Sequence, residues 1–494
     1  MEKTYIIAFD QGTTSTRTIL FNKIGEIVAV SQKELTQHYP KSGWVEHDPI
    51  EIYEDQKKAF YEVIETAKIN PKEIAGIGIT NQRETTIVWD KETGQPIYKA
   101  IVWLDNRTTE ICEELKNKNL EKYIKETTGL VIDAYFSATK IKWILDNVAG
   151  AREKANADKL LFGTIDSWLI YKFSKEKKHL TDHTNASRTM CYDIVNLQWD
   201  DKILKALEIP KTMLPKVQAS SSNFGTVNYK GTDIPIYGVA GDQQASLFGH
   251  GGYETGIAKN TYGTGCFMLL NTGDKFIKSK NGLLTTLTAS IENTPINYAL
   301  EGSIFIGGVS IQWLRDKLRI ITSAKETEQI CKAIPPLTDL YFVPAFSGLG
   351  APHWHAKAKG SIYGITLDVG REEIIKATVE ALAYQTKDVL DAMIKDNSQQ
   401  LKILKVDGGA SANNYLMQFQ SDMLQIDVER PEMLEITALG VAFLAGLKAK
   451  IWNLEDISKI KKVDKVFTPE MNLDESDKKY KGWQKAIKRT KYDV

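Results

Sequence analysis

Short apolar runs bounded by turn residues alternate along this chain with longer segments of helical periodicity. The run Tyr5–Phe9 and the run Thr18–Phe21 flank a polar turn, a pattern that is typical of two buried strands joined tightly. We therefore predict a strand hairpin over residues 4–34, a helix over 50–67 and a strand–turn–strand unit over 74–88. Strands that alternate with long helices indicate an α/β fold.

The same patterns predict the remaining elements. In the first half they indicate helices around 107–120 and 137–148, a strand over 234–240 and a helix that starts at Gln243. In the second half they indicate strands over 258–271, 283–301 and 403–406, and helices over 309–318, 371–395, 412–424 and 437–448. The second half thus repeats the plan of the first.

Two segments of the first half have echoes in the second half. The stretch AFDQGTTSTRTILFN (8–22) resembles KNTYGTGCFMLLN (259–271), because in each a Gly-Thr pair precedes an apolar strand that ends in Asn. The stretch IPIYGVAGDQQASLFG (234–249) resembles KILKVDGGASANNYLMQF (402–419), because in each a strand, small residues and an Asp precede a helix. We interpret the echoes as a duplication, although chance likeness of strand–glycine–strand segments is the alternative.

The duplication predicts two domains, residues 1–249 and 250–494. They would join at the glycine-rich segment FGHGGYETG (248–256), which is suited to a hinge. A chain of 494 residues is long enough for two domains that each have their own core.

Composition limits the partners of the chain. Lys and Arg together number 63, as do Asp and Glu, so the net charge of zero gives no sign of a nucleic-acid or membrane-surface partner. The four cysteines stand far apart without a CxxC motif, which fits a reducing compartment and argues against a zinc site. No apolar stretch is long enough to span a bilayer. We expect a cytoplasmic protein whose partner is a small molecule.

The turn of the first hairpin, DQGTTSTR (10–17), has the composition of an anion site. A glycine lets successive backbone N–H groups point outward together, and the hydroxyl residues and Arg17 add further donors. Asp10 would repel a phosphate unless Mg²⁺ lay between them. We therefore interpret the turn as a cradle for nucleotide phosphates, with an ordinary hairpin turn as the alternative.

A second cradle is predicted at TYGTGCF (261–267), where Thr264 lies between two glycines. In VDGGASANN (406–414) the Gly408-Gly409 pair allows a ligand to approach the backbone closely, and Asn413 is placed to bond a base or ribose, or to cap a helix. The motifs GxxxxGK[ST] and GxGxxG are absent. Two facing cradles predict a nucleotide in a cleft between the two halves.

Two further positions carry charged side chains that could act on a ligand. In the pair Arg83-Glu84 the guanidinium only donates hydrogen bonds and the carboxylate only accepts them, so together they can bind neighbouring hydroxyls. A surface ion pair is the alternative. Asp242 ends a predicted strand, from which its carboxylate can project into a cleft, although it can also cap the following helix.

These motifs, together with GITNQRETTIVWD (78–90) and EGSIFIGGVSIQWLRD (301–316), occur in the order that is found in the FGGY carbohydrate kinases, a resemblance that extends from about Tyr5 to Trp483. The resemblance implies a duplicated actin-like, ribonuclease-H-like fold with two domains, ATP and Mg²⁺ in the cleft between them, and phosphoryl transfer to a terminal hydroxyl of glycerol. The alternatives are another small polyol or a ketose as acceptor, or a non-kinase ATPase of the actin-like class.

The resemblance also implies a role for each matching residue. Asp242 would be the general base that accepts the proton of the attacking hydroxyl, and Asp10 and Asp242 would hold Mg²⁺ through water. The acceptor would be bound by Arg83, Glu84, Trp103, Tyr135, Asp242, Gln243 and Phe267. The nucleotide would be bound by Thr13, Thr14, Ser15, Arg17, Thr264, Gly308, Gln312, Gly409 and Asn413. Aromatic residues are also common in cores, which is the alternative for Trp103 and Phe267.

Two features depart from the family pattern. His355 and Lys359 stand where members commonly carry Asp and Arg, and we expect altered local contacts with activity retained. The segment SSNFGTVNYKGTDIPIYG (221–238) lacks the Gly/Arg-rich loop with which some relatives bind fructose 1,6-bisphosphate, and it lacks the histidine that others phosphorylate. We expect neither form of regulation. We further expect a homo-oligomer, either a dimer or a tetramer.

Overall fold

The computed structural model describes residues 3–355, 357–398 and 401–492, so residues 1–2, 356, 399–400 and 493–494 of the two predicted domains lie outside the described residues. Its strands are β1 Tyr5–Gln11, β2 Ser15–Asn22, β3 Ile27–Glu34, β4 Glu46–His47, β5 Ile74–Asn81, β6 Ile87–Asp90, β7 Ala100–Ile101, β8 Leu160–Gly163, β9 Leu180–Asp182, β10 Tyr192–Asp193, β11 Gln198–Trp199, β12 Lys216–Gln218, β13 Ser221–Tyr229, β14 Thr232–Gly241, β15 Ala258–Tyr262, β16 Cys266–Gly273, β17 Leu284–Leu287, β18 Tyr298–Ile304, β19 Tyr341–Val343, β20 Ser361–Tyr363, β21 Ile403–Asp407, β22 Asp427–Pro431 and β23 Val463–Phe467.

The helices are α1 Pro49–Ala67, α2 Thr109–Asn117, α3 Glu121–Thr128, α4 Ser137–Asn147, α5 Ala151–Asn156, α6 Ile165–Phe173, α7 His183–Ala186, α8 Asp201–Leu207, α9 Asp242–Gly249, α10 Val309–Asp316, α11 Glu326–Ala333, α12 Arg371–Asn397, α13 Asn414–Leu424, α14 Ile436–Ala449, α15 Leu454–Ile460 and α16 Leu473–Lys491. A short 3₁₀ turn, Gly409–Ala412, precedes α13. Across the described ranges, no helix combines the length and the apolar character that a membrane crossing needs.

The first sheet is built around β1. Strands β1, β2 and β3 form an antiparallel meander, β5 and β14 extend it in parallel on the other side of β1, and β13 closes the edge, which gives the order β13-β14-β5-β1-β2-β3. Strand β5 is buried along its whole length. Helix α1 covers one face, and it begins at Pro49 because the carboxylate of Asp48 accepts a hydrogen bond from Ile50 N–H.

The second sheet repeats this plan around β15. Strands β15, β16 and β18 are antiparallel, β21 and β22 add in parallel on the other side of β15, and the full order is β17-β18-β16-β15-β21-β22-β23. The hairpin β1–β2 therefore corresponds to β15–β16, as the first sequence echo predicts. The predicted duplicated α/β fold is confirmed.

The second sequence echo is wrong, because it matches strands that do not correspond in the two sheets. Strand β21 is the direct neighbour of β15, whereas β14 lies one strand farther from β1. By position in the sheet, β21 corresponds to β5, and the pair β14–α9 corresponds to β22–α14. Each half contains two successive parallel strands, and the small residues that end β14 and follow β21 do not show which of the two positions each strand takes.

Helix α14 belongs to the second half of the chain but packs on the first sheet. It is apolar on all sides, and it contacts β1, β5, β14 and α9. Its residues share a core with Ile6, Ala8, Ile19 and Phe21. The crossing with α9 is close, because a Cβ at Gly440 would lie 1.9 Å from the backbone oxygen of Ala245. The two halves are therefore joined by helix backbone in direct contact.

The elements predicted from sequence all have counterparts, and the pattern missed several other elements. These include α3, the short elements of the segment 151–218 such as α6, and β13, α11, β22, α15 and β23. Helix α6 is buried on nearly all sides, so it lacks the alternation of polar and apolar residues on which helix prediction depends.

We predict that Gly440→Ala destabilises the protein. In an ordinary helix interior this change stabilises by about 0.5–1 kcal/mol, but here the new methyl group overlaps the Ala245 carbonyl, and overpacking costs about 1–3 kcal/mol. The thermal unfolding midpoint, measured by scanning fluorimetry, should fall by at least about 2 °C. An unchanged or higher midpoint would show that the helices do not cross as described.

Candidate active site

Two adjoining cavities contain the predicted site residues. The smaller, of about 240 Å³, is formed by the β1–β2 turn, the loop after β5, the start of α9 and the β15–β16 turn. The larger, of about 720 Å³, is formed by the β15–β16 turn, α10 and the segment from Gly409 into α13. Gly263 and Thr264 line both cavities. A separate groove of about 1010 Å³ between α12 and α16 contains none of the predicted residues.

The structure brings every predicted site residue to one of these two cavities. The smaller is lined by all the predicted acceptor-binding residues and by the residues of the first cradle, namely Asp10, Thr13, Thr14, Ser15, Arg17, Arg83, Glu84, Trp103, Tyr135, Asp242, Gln243, Thr264 and Phe267. The larger is lined by the predicted nucleotide contacts of the second half, namely Thr264, Gly308, Gln312, Gly409 and Asn413.

The turn between β1 and β2 is shaped as an anion cradle. Gly12 N–H donates to the Ser15 carbonyl at 2.9 Å and closes the turn. The N–H groups of Thr13 and Thr14 have no hydrogen-bond partner among the residues that the structure describes. Free N–H groups that face a cavity are suited to binding phosphate oxygens.

The charged residues of this turn are paired with each other. Asp10 and Arg17 face each other across the hairpin, with Arg17 Nη2 2.7 Å from Asp10 Oδ2. Arg17 Nη1 donates to both carboxylate oxygens of Glu435, at 2.8 and 2.7 Å, and Glu435 lies just before α14. Asp10 and Glu435 raise the pKa of Arg17. A phosphate contact of Arg17 must therefore use its remaining N–H groups or displace a carboxylate, and that role stays a prediction.

The β15–β16 turn is held against the start of α10. Gly263 N–H donates to the Gly265 carbonyl at 2.9 Å, and the N–H groups of Gly307 and Gly308 donate to the carbonyls of Thr264 and Gly263, each at 2.8 Å. These bonds fix the second cradle between the two cavities.

The floor of the larger cavity depends on one glycine and one cap. Gly408 has φ +86°, and a Cβ there would lie 2.6 Å from the Tyr262 carbonyl oxygen, so only glycine fits. Asn413 caps α13 by accepting from Leu416 N–H at 3.0 Å, and its amide nitrogen donates to Thr327 Oγ1 at 3.1 Å. The capping alternative for Asn413 is thus correct, and the residue also lines the cavity.

Four buried charges lie beneath the smaller cavity, and we call Arg83, Glu84, Arg188 and Glu301 the buried charge cluster. Arg83 makes two parallel hydrogen bonds to Glu301, at 2.7 and 2.8 Å. Arg188 Nε donates to Glu84 at 2.7 Å, and its Nη2 lies 3.1 Å from Glu301. All four side chains are at most 2% exposed, and the two signs of charge alternate. Arg83-Glu84 is therefore not a surface ion pair.

The cluster keeps its charges despite burial. Burial alone would raise the pKa of Glu301, but the guanidinium groups of Arg188 and Arg83 outweigh it and lower the pKa to about 2. Burial likewise opposes the charge of Arg83, yet Glu301 and Glu84 raise the pKa of that group. Each guanidinium thus stays charged because carboxylates surround it.

The backbone of Glu84 is strained. Its φ of +60° is in the left-handed region, which costs a non-glycine residue of order 1 kcal/mol. The hydroxyls of Ser137 and Thr86 hold the conformation by donating to the Glu84 carbonyl at 2.8 and 3.0 Å. Strain of this kind is concentrated at functional sites.

Asp242 stands at the point where β14 becomes α9. Gly241 is the N-cap of the helix, so the capping alternative for Asp242 does not hold. One carboxylate oxygen lies 3.4 Å from Arg83 Nε and accepts from Gln243 N–H at 2.7 Å. The side chain is 30% exposed, toward the smaller cavity. Burial raises the pKa of Asp242 to about 6, against the opposing effect of Arg83.

Aromatic rings form the opposite wall. The Trp103 ring lies 5.7 Å from that of Tyr135 and 5.9 Å from that of Phe267, in edge-to-face geometry. Trp103 Nε1 donates to Thr13 Oγ1 at 3.0 Å, which ties this wall to the first cradle. The three rings are at most 7% exposed, so they belong to the core and line the cavity as well.

Comparison with known proteins identifies the family. The profile of the FGGY family of carbohydrate kinases, N-terminal domain, matches residues 5–249, and that of its C-terminal domain matches residues 258–449. The chain belongs to the FGGY family of carbohydrate kinases. A glycerol kinase of Alkaliphilus oremlandii is 58% identical over 99% of this kinase and 97% of its own length, and one of Fusobacterium nucleatum is 56% identical over 99% of both chains.

Solved structures agree with this family assignment. Plasmodium falciparum glycerol kinase with ADP superposes on this kinase with a TM-score of 0.91 and 39% identity, over 100% of this chain and 99% of the other. Ligand-bound xylulose kinase from Lactobacillus acidophilus has a TM-score of 0.86 at 22% identity, over 98% and 97% of the chains, and shows the shared fold alone.

Sequence reasoning missed two members of the buried charge cluster in this kinase, Arg188 and Glu301. Arg188 lies in TNASRTM (184–190) and Glu301 is a single charge in the buried strand β18. A lone carboxylate in an otherwise apolar strand is a usable signal, because such a charge is buried only with a partner.

His353 and His355 lie two residues apart in the segment that departs from the family pattern, a spacing that raises the question of a metal site. Within residues 3–355, 357–398 and 401–492, no group of three or more His, Cys, Asp or Glu side chains is placed to bind a metal ion. His353 contacts Asp388 at 3.1 Å, and Nδ1 of His355 is buried without a partner. Lys359 is exposed.

We predict that Glu301→Gln destabilises this kinase by about 3 kcal/mol, because removing one partner of a buried ion pair leaves uncompensated charge. The matched control is Glu126→Gln, whose partner Lys278 lies 3.4 Å away with both side chains about half exposed, and it should change stability by less than about 1 kcal/mol. Denaturant unfolding of the two variants checks this. Equal losses would contradict it.

Proposed function

We propose that this protein transfers the γ-phosphoryl group of ATP to a terminal hydroxyl of glycerol, giving sn-glycerol 3-phosphate. The observation that carries the proposal is the smaller cavity. There the guanidinium of Arg83, the carboxylates of Glu84 and Asp242, and the aromatic rings lie beside two phosphate cradles. The full-length relatives named glycerol kinase support the choice of acceptor.

The acceptor site suits a short polyol. Arg83 donates and Glu84 accepts, so the pair can hold two neighbouring hydroxyls, and the buried charge cluster keeps both side chains in place. Trp103 and Phe267 offer apolar surface to the carbon chain, and Tyr135 adds a hydroxyl. A cavity of about 240 Å³ that must also admit the γ-phosphate favours three carbons over five.

The nucleotide would occupy the larger cavity. Its base and ribose would lie near Gln312, Gly409 and Asn413, with the phosphates reaching the smaller cavity past Thr264, which lines both. The N–H groups of Thr13 and Thr14 would bind the γ-phosphate oxygens. In this arrangement the end of the triphosphate would lie beside Asp242.

A magnesium ion fits the donors that are present. Asp10 and Asp242 both line the smaller cavity, and hard carboxylate oxygens with added water are the ligands that Mg²⁺ prefers when phosphates complete its shell. When bound, the ion would neutralise charge on the phosphates.

Asp242 is suited to act as the general base. With a pKa of about 6 its carboxylate is ionised at neutral pH, and it can accept the proton as the hydroxyl oxygen forms a bond to the γ-phosphorus. The bond from that phosphorus to the bridging oxygen breaks, and ADP leaves. Closure of the cleft would exclude water, which would otherwise compete as acceptor.

Other parts of the assignment stay predictions. These are the division into domains at residue 249, which the repeated plan of the two sheets supports, the cytoplasmic location and the homo-oligomeric state. Another small polyol or a ketose as acceptor is the second candidate.

We predict a strong preference for glycerol among acceptors. ADP production with Mg-ATP should be measured with glycerol, dihydroxyacetone, glyceraldehyde, xylulose, ribulose, gluconate and no acceptor. We expect the highest kcat/KM for glycerol and a far slower reaction without acceptor, because closure of the cleft around both substrates would exclude water. Preference for a five-carbon sugar would leave the phosphate chemistry standing and overturn the assignment of the acceptor.

We predict that Asp242→Asn lowers kcat at least about a hundredfold while ATP still binds, since the amide cannot accept the proton. Asp233→Asn is the matched control, because Asp233 lies on β14, the strand that leads to Asp242, pairs with Lys175 at 2.7 Å and is about half exposed. The control should keep the parent rate. Near-parent turnover of Asp242→Asn would show that another group is the base.

A further inference from the structure

A lysine that none of the assigned roles uses lies behind the acceptor site. Lys259 is in β15 of the second sheet, and its side chain is fully buried. Its Nζ donates to Oε1 of Gln243 at 2.5 Å and to Oγ1 of Thr261 at 2.7 Å. Gln243 is on α9, directly after Asp242, so this contact crosses from one half of the chain to the other.

The charge of Lys259 determines how the Gln243 amide is turned. Burial lowers the pKa of Lys259 to about 8, with Asp407 and Asp242 opposing the shift, so the group is an ammonium at neutral pH. An ammonium only donates, and a glutamine amide has one accepting oxygen and one donating nitrogen. The oxygen of Gln243 must therefore face Lys259, and the NH₂ group must face away from it.

The freed NH₂ group is available to a ligand. Among the residues that the structure describes, Nε2 of Gln243 has no hydrogen-bond partner, and Gln243 lines the smaller cavity. Thr261, the second partner of Lys259, lines the same cavity. A polyol oxygen in that cavity is the kind of acceptor that the NH₂ group lacks.

We propose that Lys259 is a positioning residue, which fixes the Gln243 amide so that its NH₂ group donates to a hydroxyl oxygen of the acceptor. The inference rests on the proposed function, and it concerns acceptor binding rather than the phosphoryl chemistry. Lys259 itself does not touch the acceptor. Without the lysine, the amide is free to turn its oxygen into the cavity, where it cannot donate.

The test is a double-mutant cycle with Lys259→Met, Gln243→Ala and both changes together. Each single change should raise the KM for glycerol about tenfold, the loss of one hydrogen bond, with kcat and the KM for ATP changed less than about threefold. Since Lys259 acts through Gln243, the double variant should be no more than about twofold worse than Gln243→Ala. Losses that multiply, or equal rises in both KM values, would overturn the proposal.

Two further variants separate positioning from stability. Lys376→Met is the matched control, because Lys376 is also buried but donates to the carbonyls of Cys331, Ile334 and Pro335, outside both cavities. It should lose stability and keep the KM for glycerol. If Lys259→Met does not fold, Gln243→Glu decides: its carboxylate pairs with Lys259 but has no proton to donate, so glycerol affinity should fall while stability is kept. Parent-like affinity would overturn the proposal.

The activity of the parent enzyme distinguishes failure of the proposed function from failure of the proposal for Lys259. If the parent phosphorylates an acceptor other than glycerol, the proposed function fails, and the same cycle is then measured with that acceptor. The coupling between Lys259 and Gln243 is judged from the cycle alone.

Discussion

The alternation of charge in the buried cluster is the interaction on which the proposed acceptor side of this site depends. Arg83 and Glu84 come from the loop after β5, Arg188 follows α7, and Glu301 comes from β18 of the second sheet. Each charge is stable in the interior only because its neighbours carry the opposite sign. The pair Arg83-Glu84, the environment of the Asp242 carboxylate beside it and the ion pairs from this loop to β18 therefore share one electrostatic origin.

Local features of the site could be predicted from sequence because they depend only on residues that are consecutive in the chain. The turn 10–17 forms between two short strands, and its glycine and hydroxyls stay in the turn wherever the strands pack. Asp242 follows a strand directly and so reaches the edge of a sheet. The correspondence of strands in the second echo could not be predicted. Each half contains two successive parallel strands, and local sequence does not show which strand of one half matches β5 and which matches β14.

Partners that are distant in the chain lie beyond local sequence patterns. Glu301 is 218 residues from Arg83, and strand periodicity assigns both β18 and β15 to the core without saying which charge each buried polar residue meets. Lys259 could not be recognised from sequence for the same reason, because it lies in a short strand of buried residues. A position that was recognised can also have a structural role, because Asn413 both caps α13 and lines the larger cavity.

The packing of α14 on the first sheet has a consequence for biosynthesis. Chain growth places β1, β2, β5 and β14 outside the ribosome long before α14, which begins roughly 190 residues after α9 ends. At about 5–20 residues per second, an apolar sheet face waits on the order of 10–40 s for its cover. During that interval the nascent first half presents a surface that other chains can bind. The core on this face of the first sheet is therefore complete only after α14 has been synthesised.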